Sequence, residues 1–256
     1  MIDIQGVSVR YGNHQILDDI SFQLDDDEIV CVLGPNGSGK TTLLKTILNL
    51  VPFSGEILIN GQSVKKYPRK TLAKEVALLS QHQVVQRGYT VQDIVLMGRF
   101  RYQQTGLFNG YSKVDFDYVD TLLADLGLWE LKEQEVVKLS GGQKQLVFLA
   151  KIMAQNPRLL LLDEPSNHLD IKYQLEMIAF LKQWRDQRES GILGVFHDVN
   201  LALHLSDHLL MLKEGRILAK GSFSEIGTIT NFQTLYETQL VEYYLASLEK
   251  WQQLLK

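Results

Sequence analysis

The chain has 256 residues, 45% of them hydrophobic and 22% charged, with a formal net charge of -4. That length and composition fit one large globular domain or two fused subdomains, and the slightly acidic balance offers no field that would favour nucleic acid as a partner. A single cysteine, Cys31, excludes an internal disulfide framework and suits a reducing compartment.

The first residues carry no basic n-region and no apolar h-region, so no secretory signal is expected. No run reaches the roughly 18 apolar residues that a spanning helix needs. A cytoplasmic protein is expected, with any membrane role reached through a partner.

Ile2, Ile4, Val7 and Val9 alternate with polar residues and predict a strand that ends in a turn at Tyr11-Gly12-Asn13. Ile16-Leu17 and Ile20 to Leu24 predict a second strand. Tyr11, an aromatic shortly before the glycine loop described next, could stack on a purine. Asp25-Asp26-Asp27-Glu28 lacks the glycine and spacing of a calcium loop and is expected to be a solvated hairpin tip.

The apolar run Ile29 to Leu33 leads into Gly34-Pro35-Asn36-Gly37-Ser38-Gly39-Lys40-Thr41, and a helical stretch starting at Thr42 leads out. Strand, glycine loop and helix in that order put free backbone N–H groups at a helix N-terminus, where they can surround phosphate oxygens. Lys40 can then reach the β- and γ-phosphates, and the Thr41 hydroxyl can ligate Mg²⁺.

Gly55 to Gly61 predicts a short strand closed by an Asn-Gly turn, and Ala77 to Gln81 another that ends on a polar residue. The pairs Lys65-Lys66 and Arg69-Lys70 read as a solvated face. From about Thr90 to Asn156 the apolar spacing turns helical, interrupted by an aromatic and polar loop from Phe100 to Tyr111. Within it, Leu139-Ser140-Gly141-Gly142-Gln143 combines a capping serine with two glycines at a helix start. That is a second anion-binding terminus. One nucleotide has one γ-phosphate, so the second terminus is expected to serve the nucleotide of another copy.

Leu159 to Asp163 and Gly191 to His197 lack alternation, as central parallel strands covered on both faces do. Asp163 ends the first and is followed by Glu164; His197 ends the second. An acid at that edge can hold Mg²⁺, and Glu164 is placed to polarise an attacking water. Met211 to Leu218 predicts a closing hairpin. Residues 233 to 256 carry Leu240, Tyr244, Leu248, Trp251 and Leu255 at helical spacing and predict an amphipathic helix. His197, His204 and His208, with Asp198 and Asp207, raise the alternative of a metal cluster, and the last two histidines read as sharing a helical face. Zinc sites need a tighter set of about three or four ligands, which weighs against it.

Taken together these strings resemble the ATP-binding subunits of ABC transporters over nearly the whole chain. The matching parts are an aromatic A-loop residue (Tyr11), Walker A (34–41), a Q-loop glutamine (Gln81), the LSGGQ motif (139–143), Walker B with its glutamate (Leu159 to Glu164), a D-loop (166–170) that includes His168 as an expected interface residue, and a switch histidine (His197). The resemblance implies an α/β P-loop NTPase core with a mixed, mainly parallel sheet, an N-terminal antiparallel β-subdomain and an inserted α-helical subdomain. The core would cover approximately 1–88 and 158–230, the helical subdomain 89–157 and a C-terminal helical extension 231–256.

It also implies ATP hydrolysis with Glu164, His197, Lys40 and Gln81 as catalytic residues. ATP would be bound by Tyr11, Gly34, Pro35, Asn36, Gly37, Ser38, Gly39, Lys40, Thr41 and Thr42 of one copy and Ser140, Gly141, Gly142 and Gln143 of the other. Mg²⁺ would be held by Thr41, Gln81 and Asp163. The implied assembly is a head-to-tail homodimer that sandwiches two ATPs, bound to two integral permease subunits on the cytoplasmic face of the membrane and served indirectly by an extracytoplasmic substrate-binding protein.

Tyr89 to Arg99, Asp163 to Asp170 and the stretch from Tyr236 to Trp251 are similar to the subunits of importers for iron–siderophore, haem and cobalamin. Molybdate-type importers share several of these strings, and a soluble ABC ATPase is the more distant alternative. Intact Glu164 and His197 argue against a non-hydrolysing regulator. Leu146 and Lys151 stand where the family commonly has arginines, and the D-loop reads Ser166-Asn167-His168 rather than the commoner Thr-Ser-Ala or Thr-Ser-His.

Overall fold

The computed structural model describes residues 2–81, 87–102, 110–167, 169–188, 190–206 and 208–255. In chain order, β1 (Ile2–Tyr11) and β2 (His14–Leu24) lead to β3 (Ile29–Leu33), the glycine loop and α1 (Lys40–Ile47). Then come β4 (Ser54–Ile59), β5 (Gln62–Ser63), α2 (Arg69–Glu75) and β6 (Val76–Leu79). Helices α3 (Val91–Leu96), α4 (Lys113–Asp125) and α5 (Gly141–Ala154) form a block, and β7 (Leu159–Asp163), α6 (Ile171–Arg188), β8 (Gly191–Val195) and α7 (Val199–Leu205) follow. The chain closes with β9 (His208–Lys213), β10 (Arg216–Ser222), α8 (Phe223–Ile226), α9 (Ile229–Tyr236) and α10 (Leu240–Gln252).

Two sheets result. The smaller is antiparallel, in the order β2-β1-β4-β5; the larger runs β10-β9-β3-β8-β7-β6. In the larger sheet β9, β3, β8, β7 and β6 are parallel neighbours, and β10 returns antiparallel to β9. Every residue of β3, β7 and β8 is buried, as the unbroken apolar runs predict. Pleating sends Ile29, Cys31 and Leu33 into a core shared with the helical block, and Val30 and Val32 into a core shared with the small sheet. Leu160 and Leu162 against Leu159 and Leu161 divide in the same way. The parallel strands therefore end together at one edge, and the loops after β3, β6, β7 and β8 open there. In open α/β sheets that edge is where ligands bind.

Three local expectations give way to the structure. Asp25–Glu28 is a turn, with Glu28 N–H donating to Asp25 C=O at 3.3 Å, but it is no hairpin tip: it carries the chain from the small sheet to the large one. The single helix over 233–256 is two helices. Glu237 adopts a left-handed φ of 55° and ends α9, and Lys213 Nζ clasps that end by bonding Thr234 C=O and the Glu237 carboxylate, each at 2.6 Å. A cation at a helix C-terminus is favourable, and the sequence spacing does not reveal it because Lys213 is distant in the chain. Finally, His204 lies in α7 and His208 begins β9, so the two share no helical face. Among the described residues no group of three His, Cys, Asp or Glu could hold a metal ion.

Candidate active site at the carboxyl edge of the large sheet

The glycine loop follows β3 directly. Gly39 is the N-cap of α1 with φ of 103°, and a Cβ there would stand 2.9 Å from Ile16 C=O, so glycine is required. No side chain caps α1. Its first N–H groups therefore face the loop and not a side-chain acceptor of their own. Asn36 and Gly37 are exposed at the crest of the loop, Pro35 is half-buried, and Gly34 and Ser38 are buried. Ser38 C=O accepts from Gly215 N–H at 3.1 Å, which ties the loop to the β9–β10 turn. Thr42 lies in the first turn of α1, its C=O bonded by Thr46.

Lys40, only 6% exposed, donates from Nζ to Gly34 C=O at 2.8 Å and Pro35 C=O at 2.9 Å. Burial holds its pKa below the ordinary lysine value, and the carboxylates of Glu164 and Asp163 pull in the opposite direction. Thr41 follows on α1 and donates from Oγ1 to Asp163 Oδ1 at 3.0 Å. Asp163 is the last residue of β7 and 5% exposed; burial raises its carboxyl pKa, while the Thr41 bond lowers it. A hydroxyl and a carboxylate brought this close are the hard oxygen donors that Mg²⁺ takes together with phosphate oxygens and water. The residues present thus fit the cation.

Glu164 is the centre of the second cluster. Its backbone adopts φ of 53°, and its N–H donates to Val195 C=O at 3.1 Å. Its side chain is 13% exposed. Gln81 Nε2 donates to Oε2 at 2.8 Å, and Asn167 Nδ2 donates to the same oxygen at 2.5 Å. His197 Nε2 meets Oε1 at 2.5 Å. Gln81 stands two residues past the end of β6 and His197 two residues past β8, whereas the sequence reading made each the last residue of its strand. Four loops from one sheet edge thus converge on Lys40, Thr41, Asp163, Glu164, Gln81 and His197.

The other expected residues lie apart from this convergence. Ser140 is the N-cap of α5, and Gly141 begins the helix. The cap is reciprocal: Gln143 N–H donates to Ser140 Oγ at 3.2 Å, and Ser140 N–H donates to Gln143 Oε1 at 3.0 Å. Gly142 packs on the Tyr173 ring, where a Cβ would come within 2.7 Å. One bond reaches from this helix toward the site: Gln145 Nε2 donates to Pro165 C=O at 3.2 Å. Tyr11 ends β1 and is 46% exposed. His168 lies outside the described residues. Leu146 is buried in the helical core, which accounts for an apolar residue at that position.

Sequence reading singled out Asn167 only as a departure from the common D-loop and missed its contact with Glu164. The available signal was its spacing, an amide three residues after the acid across a turn.

The ABC transporter family model matches residues 17–167, more than half of the chain. The chain belongs to the ABC transporter family. Among relatives of this ABC ATPase, the ferric enterobactin transport ATP-binding protein FepC of Escherichia coli (strain K12) is 32% identical over 231 residues, covering 90% of this chain and 84% of the relative. The petrobactin import ATP-binding protein YclP of Bacillus subtilis (strain 168) is 34% identical over 238 residues, covering 93% of both. Among solved structures, a transporter assigned to the metal-chelate type, in an inward-facing conformation, superposes with a TM-score of 0.78 at 27% identity, over 92% of this chain and 88% of that one. The ATP-binding cassette MJ0796, in a dimeric post-hydrolysis state with ADP and Pi, shares the fold at a TM-score of 0.75 and 24% identity, over 87% of this chain and 98% of that one.

Proposed function

We propose that this ABC ATPase drives an importer for iron chelates of the siderophore class. The observation that carries the chemistry is the convergence at one sheet edge of a phosphate-binding helix terminus, the Thr41–Asp163 pair and the Glu164 carboxylate. The import reading draws on the relatives, whose names attach them to ferric enterobactin and petrobactin.

Hydrolysis needs in-line attack by water and neutralisation of charge on the γ-phosphoryl oxygens. The N–H groups of Gly37 to Thr41 would cradle the β- and γ-phosphates, with Lys40 supplying positive charge and Thr42 closing the helix start around the α-phosphate. Glu164 would accept the proton of the attacking water, and His197 would steady the γ-phosphate and the carboxylate together. Tyr11 would stack on the adenine. Thr41, Asp163 and the carbonyl end of Gln81 would hold Mg²⁺, which when bound neutralises phosphate charge.

The opposing wall, Ser140 to Gln143, would come from a second copy in a head-to-tail homodimer. We assign the ATP-hydrolysing core to approximately 1–88 and 158–230, the motion-transmitting helical subdomain to 89–157 and the extension to 231–256. Gln81, bonded to Glu164, would pass the state of the site to the helical subdomain and on to two permease subunits. Among the described residues no helix is long and apolar enough to cross a membrane, consistent with a peripheral subunit at the cytoplasmic face.

The experiment is Glu164→Gln. We expect it to lower turnover by at least about 100-fold and to hold an ATP-bound dimer on gel filtration. A variant that stays monomeric with ATP, and turns over at the parental rate, would end this reading. For the cargo, a strain lacking this chain should lose uptake of a radiolabelled ferric siderophore and keep uptake of molybdate and cobalamin; the reverse pattern assigns it to one of those importers.

A further inference from the structure

Glu164 needs more than the right chemistry. Its carboxylate must be aimed, and a misplacement of about 1 Å can cost roughly 100-fold in rate. Its backbone makes aiming harder. A φ of 53° is uncommon for a residue with a long side chain and persists only where surroundings over-determine it.

The surroundings that do so are particular to this loop. Asn167 follows Glu164 across a tight turn, with Asn167 N–H donating to Glu164 C=O at 3.2 Å. The two intervening residues are buried and pinned from both sides. Pro165 C=O accepts from Gln145 on α5 at 3.2 Å, and Ser166 C=O accepts from Gln174 on α6 at 3.4 Å. The turn therefore delivers the Asn167 amide to Oε2 from a fixed base. The other donor to Oε2, Gln81, is exposed, and His197, also exposed, holds only Oε1.

We infer that Asn167 is a positioning residue for ATP hydrolysis: its side-chain amide fixes the Oε2 end of the Glu164 carboxylate, so that Oε1, which keeps a second lone pair beside its contact with His197, is aimed at the attacking water. The inference rests on the reading of Glu164 as proton acceptor. It assigns work to a side chain at a position where the commoner D-loop sequence offers a shorter one. A serine hydroxyl at 167 would end about one bond short of the amide nitrogen.

The test compares three variants of the full chain, assembled with its permease partner. Asn167→Asp keeps the shape of the side chain, removes the donor and sets a second negative charge against Glu164. Asn167→Ala removes both shape and donor. Asn167→Gln keeps the amide on a longer arm. Positioning predicts that Asp and Ala lower kcat by at least about tenfold with KM for ATP within about twofold of the parent, and that Gln recovers part of the loss. In a Glu164→Gln background, single-turnover hydrolysis should be insensitive to the change at 167, because the group being positioned is already altered. A purely structural role predicts kcat and KM moving together in the Ala variant, with no recovery by Gln. An Asp variant with parental kcat, or full additivity with Glu164→Gln, overturns the inference. Retention of parental kcat by Glu164→Gln alone would instead remove the proton-acceptor reading, and this inference with it.

Discussion

Two helices in this molecule begin with glycine-rich strings, and they begin differently. Helix α1 starts at a left-handed Gly39 with no side-chain cap, whereas α5 starts at Ser140 with a complete capping box closed by Gln143. The first leaves its N-terminal donors to whatever sits in the loop. The second already satisfies one donor with the Ser140 hydroxyl and uses the Gln143 side chain to bond the Ser140 amide. A helix terminus is an anion site only to the extent that its donors are open. On the proposed reading, the loop at 34–41 would hold phosphate by itself, and the start of α5 would make its contact when a second copy brings phosphate to it.

The comparison can be broken most sharply at Lys40. Lys40→Ala should lower ATP turnover by more than about 1,000-fold, since it removes both the positive charge proposed to face the γ-phosphate and the staple on the loop. A phosphate-release assay with the permease present that finds near-normal turnover would remove the loop from its assigned role. Ser140→Ala comes next. It should lower turnover by about 100-fold while leaving the ATP affinity of the isolated chain unchanged, and should cost about 1 kcal/mol of stability through the lost cap. If calorimetry finds that this variant has lost ATP binding as a monomer, the two termini are not the unequal pair described here. The smallest effect is expected at Tyr11. Tyr11→Ala should weaken ATP binding by about 1–3 kcal/mol, by analogy with aromatic stacking on bases. An unchanged Kd would make Tyr11 an ordinary turn residue.

Much of this arrangement is legible in the sequence because it is written in local chemistry. The strand, glycine loop and helix around Lys40 are contiguous. The buried runs 159–163 and 191–195 announce central parallel strands, and strands that end together bring their following residues together. What stays hidden depends on distant partners. That Asp25–Glu28 joins two sheets and not two paired strands is decided by β3 joining the parallel sheet. The break at Glu237 is set by Lys213, and the change from helix to strand before His208 by pairing of β9 with β3. Asn167 is intermediate. Its proximity to Glu164 is local, but its orientation is imposed by Gln145 and Gln174 from two other helices.

The lysine staple has a further consequence. Lys40 Nζ bonds two carbonyl oxygens of its own loop, and its burial leaves it little water to fall back on. The ammonium has three donors and spends two on these carbonyls, so a phosphate oxygen bound here would take the third and share the cation with Gly34 and Pro35. On the proposed reading, nucleotide affinity at this loop would depend on how the charge of one cation is divided between backbone and phosphate oxygens. Any change that alters how well the backbone of 34–35 competes for Lys40 tunes that affinity without touching the nucleotide.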